Sequence, residues 1–243
     1  KRMEYIRQMN QGIVFSSGRI FGTLALLPAY PRYRRLVEEA ERDLHEMIAT
    51  YVLPDGGTLE GMGYWSYTFS QAMPSMLALA RYHGQSLLEY GAANPSLVKT
   101  GDYGLGMLST VGDGSSYVPV NDAHAGGSYP AGLVAAYVRL SGRPEWQSLY
   151  RAMAQARNAG DGKGHPVAAD MFHLITAPAE EELRDGPSLL RERFDVFPDT
   201  GQVASVRALD GKLVHFHLCT GPTYLGHFHE DKGAFILEVD GEP

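Results

Sequence analysis

Two histidines, His227 and His229, lie two positions apart in the run Gly-His-Phe-His-Glu-Asp-Lys-Gly at residues 226–233. In an extended segment, residues at i and i+2 project to the same face. One imidazole can then meet a metal ion while the other meets a substrate, or both can bind the metal. Zinc takes at least three protein ligands, so the pair needs partners from elsewhere. A polar loop with two solvated histidines explains the pattern equally well.

A second pair, His215 and His217, lies in a predicted strand at Leu213–Leu218. Both histidines share a strand face with Cys219, and the opposite face carries Val214, Phe216 and Leu218. We expect the apolar face to be buried and the histidine face to line a cleft or solvent. A second metal site is the alternative. Cys219 is the single cysteine, which excludes an internal disulfide, and we expect it to be a small buried residue.

A glycine-rich segment, Asp-Gly-Gly-Thr-Leu-Glu-Gly-Met-Gly-Tyr-Trp at residues 55–65, lies between two predicted helices. It is not a phosphate-binding loop, because it lacks the Gly-Lys-Ser/Thr ending. The rings of Tyr64 and Trp65 can stack on sugars, and the carboxylate of Glu60 can orient a neighbouring base. The composition therefore suits a sugar-binding cleft.

The loop at residues 112–124 carries Tyr117, Asn121 and His124. Tyr117 can act as a general acid or base if a neighbouring cation lowers its pKa from about 10. A purely structural tyrosine is the alternative. The same loops also allow a glycoside hydrolase that pairs the Glu60 carboxylate with Asp113 or Asp122.

Apolar residues at helical spacing predict helices over the first two-thirds of the chain. We expect them at Tyr33–Tyr51, Ser66–Tyr82 and Ala131–Leu140, and from Pro144 through Met153. Short connections between such helices imply antiparallel neighbours, as in a helical bundle or an (α/α) toroid.

The pattern changes after about residue 187, where short strands alternate with tight turns. The predicted strands are Phe194–Phe197, Gln202–Leu209, Leu213–Leu218 and Ala234–Val239. We therefore predict an α+β chain with a helical portion at 1–158, a connector at 159–187 containing a short helix at Ala168–Thr176, and the start of an antiparallel β-sheet domain at 188–243.

Composition narrows the classes of partner. The formal charge of −7 argues against nucleic acid, although a local basic cleft for an acidic polysaccharide remains compatible with it. The most apolar stretch, Ile20–Ala29, is too short for a membrane span and is broken by Gly22 and Pro28. Because the chain starts at Lys1 and stops within an apparent strand and turn, we expect a fragment truncated at both ends, from which targeting cannot be read.

Taken in order, these segments resemble the heparinase II/III-like polysaccharide lyases, a group that includes exolytic alginate lyases and dermatan sulfate epimerase. The similarity is greatest at residues 226–242, Gly-His-Phe-His-Glu-Asp-Lys-Gly-Ala-Phe-Ile-Leu-Glu-Val-Asp-Gly-Glu. The segment at residues 55–65, with Asp55-Gly56, Glu60-Gly61 and Gly63-Tyr64-Trp65, is similar to a motif of the helical toroid. The stretch Phe197–Arg207 fits the strands that lead into the family's β-sandwich.

The resemblance implies an (α/α) toroid followed by an antiparallel β-sandwich, with the active site between them. His227 would face the substrate and His229 would bind a divalent metal, zinc or a similar ion, whose other ligands would lie beyond Pro243. Tyr117 is the best match for the catalytic tyrosine, and Glu60 for the family's glutamate. The implied location is periplasmic or secreted, and the implied partner is an acidic polysaccharide.

The implied chemistry is β-elimination on a uronic acid. Tyr117 or His227 would take the C5 proton, and the tyrosine would protonate the O4 leaving group. The sequence departs from the family motif at the positions expected to neutralise the substrate carboxylate. Many members carry histidine or asparagine there, and this chain has Gly57, Thr58 and Leu59. Asn121 or His124 would then neutralise this carboxylate, unless the register of the match differs.

Three other functions remain open from the sequence. A C5-uronosyl epimerase would reprotonate the same intermediate on its other face. A glycoside hydrolase on the same scaffold would use paired carboxylates. A carbohydrate-binding module would use His229 only to hold a structural ion. The polymer itself, whether glycosaminoglycan, alginate or bacterial exopolysaccharide, is not identified.

Overall fold

The computed structural model describes residues 9–158, 171–221 and 232–242. Its helices are α1 (Asn10–Leu26), α2 (Arg34–Tyr51), α3 (Gly61–Tyr82), α4 (Leu87–Ala92), α5 (Pro95–Gly106), α6 (Ala131–Ser141), α7 (Pro144–Asn158) and α8 (Met171–Thr176), with short 3-10 turns at Pro31–Tyr33 and Glu180–Glu182. A four-stranded sheet follows, formed by β1 (Arg193–Phe197), β2 (Gln202–Leu209), β3 (Lys212–Cys219) and β4 (Ala234–Val239). The chain is therefore a mixed α+β protein, as predicted.

Local sequence explains where several helices begin and end. In α2, Val37, Ala40, Leu44 and Ile48 recur at helical spacing, and all four are buried. The short helix α4 begins with a capping box, in which Ser86 and Glu89 each accept a backbone N–H from the other. The helix α6 ends at Ser141, and the capping residue Gly142 has a φ of 63°, the left-handed conformation that glycine adopts without strain.

Aromatic side chains from three helices form the centre of the helical core. Trp65 of α3 stacks on Tyr137 of α6 with ring centroids 5.7 Å apart, and Tyr137 stacks on Trp146 of α7 at 4.5 Å. All three side chains are fully buried. The contacts join α3, α6 and α7 into one packed layer.

The sheet is an antiparallel meander in the order β1-β2-β3-β4. Its inner face lies against the helical part: the ring of Phe197 contacts Tyr103 of α5 edge-on, with centroids 4.9 Å apart. Its outer face is apolar and exposed, and this face carries Phe194, Val196, Phe216, Phe235 and Leu237. In the part of the chain that the structure describes, nothing covers this face.

The predicted helices and strands agree most closely with the observed ones where the local sequence pattern is strong. The bounds of β2 and β4 are those predicted, and the Asp210-Gly211 turn has both residues at positive φ, as a tight hairpin requires. The helix predicted at Ser66–Tyr82 begins earlier, at Gly61, and α1, α4 and α5 were not predicted. Of the predicted Ala168–Thr176 helix, Met171–Thr176 is helical and residues 168–170 lie outside the described residues. No helix in the described ranges has the length and apolar character needed to cross a membrane.

Candidate functional site

The glycine-rich loop at residues 55–65 and the loop at residues 112–124 are in contact. The Asn121 side-chain amide donates a hydrogen bond of 3.1 Å to the carbonyl of Leu59. Gly61 has a φ of +80°, and a Cβ there would lie 2.7 Å from the carbonyl oxygen of Val120. Only glycine allows this backbone and this approach. The two segments that the sequence analysis singled out therefore form one surface.

Asp55 joins this surface to the β-sheet. Its carboxylate accepts hydrogen bonds from the backbone N–H groups of Asp199 and Thr200, at 2.7 and 3.0 Å, in the turn between β1 and β2. Thr220 donates its backbone N–H to Gly201 of the same turn at 2.7 Å. The β1–β2 turn thus contacts both the glycine-rich loop and Thr220-Gly221, the two residues that precede the segment 222–231. His227 and His229 belong to that segment and lie outside the described residues.

Tyr117 lies in the middle of three short extended segments. Its backbone N–H donates to Gly127 at 2.9 Å, and on the other side Leu108 and Tyr117 form an antiparallel bridge. The phenol packs closely against Gly127, where a Cβ would lie 2.5 Å from the Tyr117 hydroxyl and its ring carbon. The side chain is 9% exposed, and this burial raises the pKa of Tyr117. The condition considered above, a neighbouring cation that lowers this pKa, is not met by any charged group among the described residues.

Glu60 and Trp65 are both buried. The Glu60 side chain is 1% exposed, and its carboxylate accepts hydrogen bonds from the backbone and side-chain nitrogens of Asn10, at 2.8 and 3.2 Å. A carboxylate at this position stabilises the N-terminus of α1. Trp65 is 0% exposed, and its indole N–H donates to Thr100 at 2.7 Å. Neither ring face of Trp65 is open to a sugar, so its position is that of a core residue and not of the predicted stacking platform.

Tyr64 instead has an exposed aromatic neighbour that the sequence analysis missed. Tyr64 is half-buried, and its ring meets that of Tyr67 edge-on, with centroids 6.5 Å apart. Tyr67 is 48% exposed. The spacing i, i+3 on one helix was the available signal for this pair. Burial, and next the nearby carboxylates of Asp122 and Glu60, raise the pKa of Tyr64. Tyr64 therefore lies beside the loop that carries Asn121 and Asp122, and the Tyr67 ring contacts Tyr64.

The candidates for binding a substrate carboxylate differ in exposure. Thr58 is fully buried, and Gly57 packs on Thr200, so neither is available to a ligand. Asn121 is half-buried and uses its amide on Leu59. His124 is exposed, and its carbonyl accepts the N–H of Gly127 beneath the Tyr117 ring. Of the two predicted candidates, His124 has the more accessible side chain.

The second histidine pair is buried, contrary to our prediction. His215 and His217 are 0% and 1% exposed, whereas Phe216 between them is 37% exposed. The histidine face of β3 is the one covered by the helical part, and the apolar face is the outer one. The Nε2 atoms of both histidines are buried without a hydrogen-bond partner among the described residues. Burial, with the neighbouring His215, lowers the pKa of His217 to about 4. Cys219, on the same face, is buried as predicted.

Glu238 on β4 is the most heavily hydrogen-bonded carboxylate of this inner face. It accepts hydrogen bonds from His215 Nδ1 at 2.9 Å, Ser109 Oγ at 2.7 Å, and the Thr110 N–H and hydroxyl at 2.7 and 2.8 Å. Burial alone would raise the pKa of Glu238, but these hydrogen bonds outweigh it and hold the pKa at about 2. The group is therefore a buried anion at neutral pH.

The described residues do not themselves form a metal centre. Within the described ranges, no group of three or more His, Cys, Asp or Glu side chains is arranged to hold a metal ion. Among the described residues, His215 and His217 have no third side chain placed to complete the second metal site considered above. The predicted ligand His229 lies outside these ranges, so zinc remains a prediction that no contact in the structure supports.

Comparison of the chain with protein-family models and with curated proteins finds no match. The resemblance described above therefore depends on the residues of the sequence alone.

Proposed function

We propose that this protein is a polysaccharide lyase that cleaves a uronic-acid-containing polymer by β-elimination. The observation that carries the proposal is that the glycine-rich loop contacts both the Tyr117 loop and the β1–β2 turn, which lies beside Thr220-Gly221. Three segments that are far apart in the sequence, and that each resemble the same family, meet in the fold. The proposal includes an (α/α) toroid and a β-sandwich, and the exposed apolar outer face of the sheet is what a second packed sheet would cover.

The raised pKa of Tyr117 supports one division of roles in this reaction. A phenol whose pKa lies above its usual value of about 10 is protonated at neutral pH. It is therefore suited to donate a proton to the O4 leaving group, and the C5 proton would pass to another base. We assign that base to His227. Each of the two residues then has one role: His227 takes the C5 proton, and Tyr117 protonates the O4 leaving group.

The substrate would lie over the surface formed by the two loops. Tyr64 and Tyr67 offer partly exposed ring faces for stacking, and His124 offers an exposed imidazole near the uronate carboxylate. Neutralising this carboxylate stabilises the charge that develops when the C5 proton leaves. Zinc held by His229 would contribute by fixing the histidine segment, and no proton transfer in this scheme uses the metal. A periplasmic or secreted location follows from the substrate class proposed here.

The structure weighs against the glycoside hydrolase. That mechanism needs two carboxylates beside the scissile bond. The Glu60 carboxylate is buried and bound to Asn10, whereas Asp113 and Asp122 are exposed loop residues. The epimerase uses the same residues as the lyase, so the product distinguishes them.

The test is to incubate the full-length protein with a panel of uronate polymers and to follow the ultraviolet absorbance of unsaturated product. We expect absorbance with at least one polymer and a loss of activity of about 10²–10⁴-fold in Tyr117→Phe. Tyr30→Phe, which changes an exposed tyrosine between α1 and α2, should keep full activity. Exchange of the C5 hydrogen without absorbance would indicate the epimerase. Hydrolysis without a double bond, or binding that survives Tyr117→Phe and His227→Ala without any turnover, would refute the lyase.

A further inference from the structure

One row of residues crosses all four strands on the inner face of the sheet. The strand register aligns Arg193, Val206, His215 and Glu238 as successive neighbours. Arg193, His215 and Glu238 are polar, and we call these three residues the interlayer row. Such groups are costly to bury unless their hydrogen bonds are satisfied.

The interlayer row binds one short segment of the helical part, Leu108–Thr110. Arg193 donates a hydrogen bond from its guanidinium to the Leu108 carbonyl. Glu238 accepts from Ser109 Oγ and from both the N–H and the hydroxyl of Thr110, at 2.7 to 2.8 Å. His215 donates its Nδ1–H to the same carboxylate. The row therefore holds the backbone of this segment at two successive peptide units.

The segment held in this way is the immediate neighbour of Tyr117. Ser109 donates its N–H to the Ser116 carbonyl, and Val118 donates to Met107, each at 2.9 Å. Leu108 and Tyr117 are directly paired between these two hydrogen bonds. A shift of Leu108–Thr110 would consequently move the Tyr117 backbone with it.

We propose that Arg193, His215 and Glu238 are positioning residues that fix the Tyr117 phenol for proton transfer by anchoring its paired strand to the sheet. The catalytic part of this inference rests on the lyase activity proposed above. The positional part concerns only the conformation of Tyr117 and can be measured without turnover. Fixing a reacting group contributes to rate because a misplacement of about 1 Å can cost about 10²-fold.

The experiment combines fluorine NMR of a 3-fluorotyrosine at position 117 with steady-state kinetics. The variants are Glu238→Gln, which keeps the side-chain size but places an amide among donors, and the milder Thr110→Val, which removes one of the donors to Glu238. The matched controls are Glu242→Gln, at an exposed position just after β4, and Thr50→Val, at an exposed position of α2. Thermal melting verifies that each variant is folded at the assay temperature.

We expect a single fluorine resonance in the unsubstituted protein and both controls, and a shifted or split resonance in Glu238→Gln and Thr110→Val. In the kinetic arm, kcat should fall about 10–100-fold in Glu238→Gln and about 3–10-fold in Thr110→Val, with KM changed less than about threefold. A purely structural role would lower the melting temperature and leave the resonance and kcat unchanged in the folded variant.

The two arms separate the two proposals. If Glu238→Gln and Thr110→Val give the resonance of the unsubstituted protein, the positioning role is wrong whatever the activity. If the resonance moves but kcat does not, the row fixes Tyr117 without serving the reaction, and the inference also fails. If Glu238→Gln does not fold, Thr110→Val decides. If no polymer is turned over, the proposed function fails, and the resonance alone decides the conformational role of the row.

Discussion

Replacing His217 with leucine removes an imidazole that is neutral in the folded protein at neutral pH. The side chain is 1% exposed, and its Nε2 has no partner among the described residues. Protonation would place a charge in this site beside His215, and burial with this neighbour lowers the pKa of His217 to about 4. In the unfolded chain the same group titrates near its ordinary value of about 6.5.

The sign and size of the pH effect follow from this difference. Below about pH 6.5 the unfolded state binds a proton that the folded state does not, so the free energy of unfolding decreases as the pH is lowered. The loss grows until the folded state also protonates near pH 4 and is constant below that. It amounts to about 2 kcal/mol at pH 5 and about 3 kcal/mol at pH 4, since one pKa unit corresponds to 1.36 kcal/mol. Above pH 7 the group contributes no pH dependence.

The assay is urea denaturation of the unsubstituted protein, His217→Leu and the control Phe216→Leu between pH 7.5 and pH 5. Phe216 is the adjacent, outward-facing residue of β3 and does not titrate. The free energy of unfolding of the unsubstituted protein and of Phe216→Leu should fall by about 2 kcal/mol more than that of His217→Leu. Holding the pH at 5 or above keeps Glu238, with its pKa of about 2, ionised throughout. Parallel curves for all three proteins would refute the buried neutral state of His217.

The remaining predictions concern the loops of the site. Trp65→Ala should cost about 3–5 kcal/mol in the free energy of unfolding because it empties the aromatic core, as measured by denaturant titration. Tyr67→Ala should change stability by less than about 0.5 kcal/mol and raise KM on the cleaved polymer more than it lowers kcat; a fall in kcat alone would exclude a stacking role. Asp55→Ala should cost about 1–3 kcal/mol, because it leaves the N–H groups of Asp199 and Thr200 without their acceptor, and it should also lower activity. Full activity in a folded Asp55→Ala would contradict the assembled site.

Much of the fold was predictable because the deciding interactions are local. The strand bounds of β2 and β4 follow from the turn residues that flank them, and Asp210-Gly211 supplies the conformation that a two-residue hairpin requires. The helix α2 follows from its regular apolar spacing. The helices α1 and α5 were missed because their glycines and small residues obscure this periodicity, and α4 was missed because its six residues are too few to show one.

The exposure of the site residues was less predictable. Glu60 and Trp65 have the residue types of a sugar site, yet each side chain has a partner that is distant in sequence, Asn10 and Thr100 respectively. Tyr67 was overlooked because the predicted helix began at Ser66 and left Tyr64 in the preceding loop, so the i, i+3 spacing of the two rings was not applied. Residue type and spacing alone do not reveal whether a ring faces solvent or core.

The sequence by itself determined the change from helices to strands, the turns between the strands and the residues able to perform acid–base chemistry, because each depends on local propensity or on side-chain type. Only the tertiary structure decided which face of β3 is buried. Alternation along a strand separates two faces but does not say which one another layer covers. Here the helical part covers His215 and His217 and leaves Phe216 exposed. Glu238, which accepts hydrogen bonds from Ser109 and Thr110, also accepts the Nδ1–H of His215.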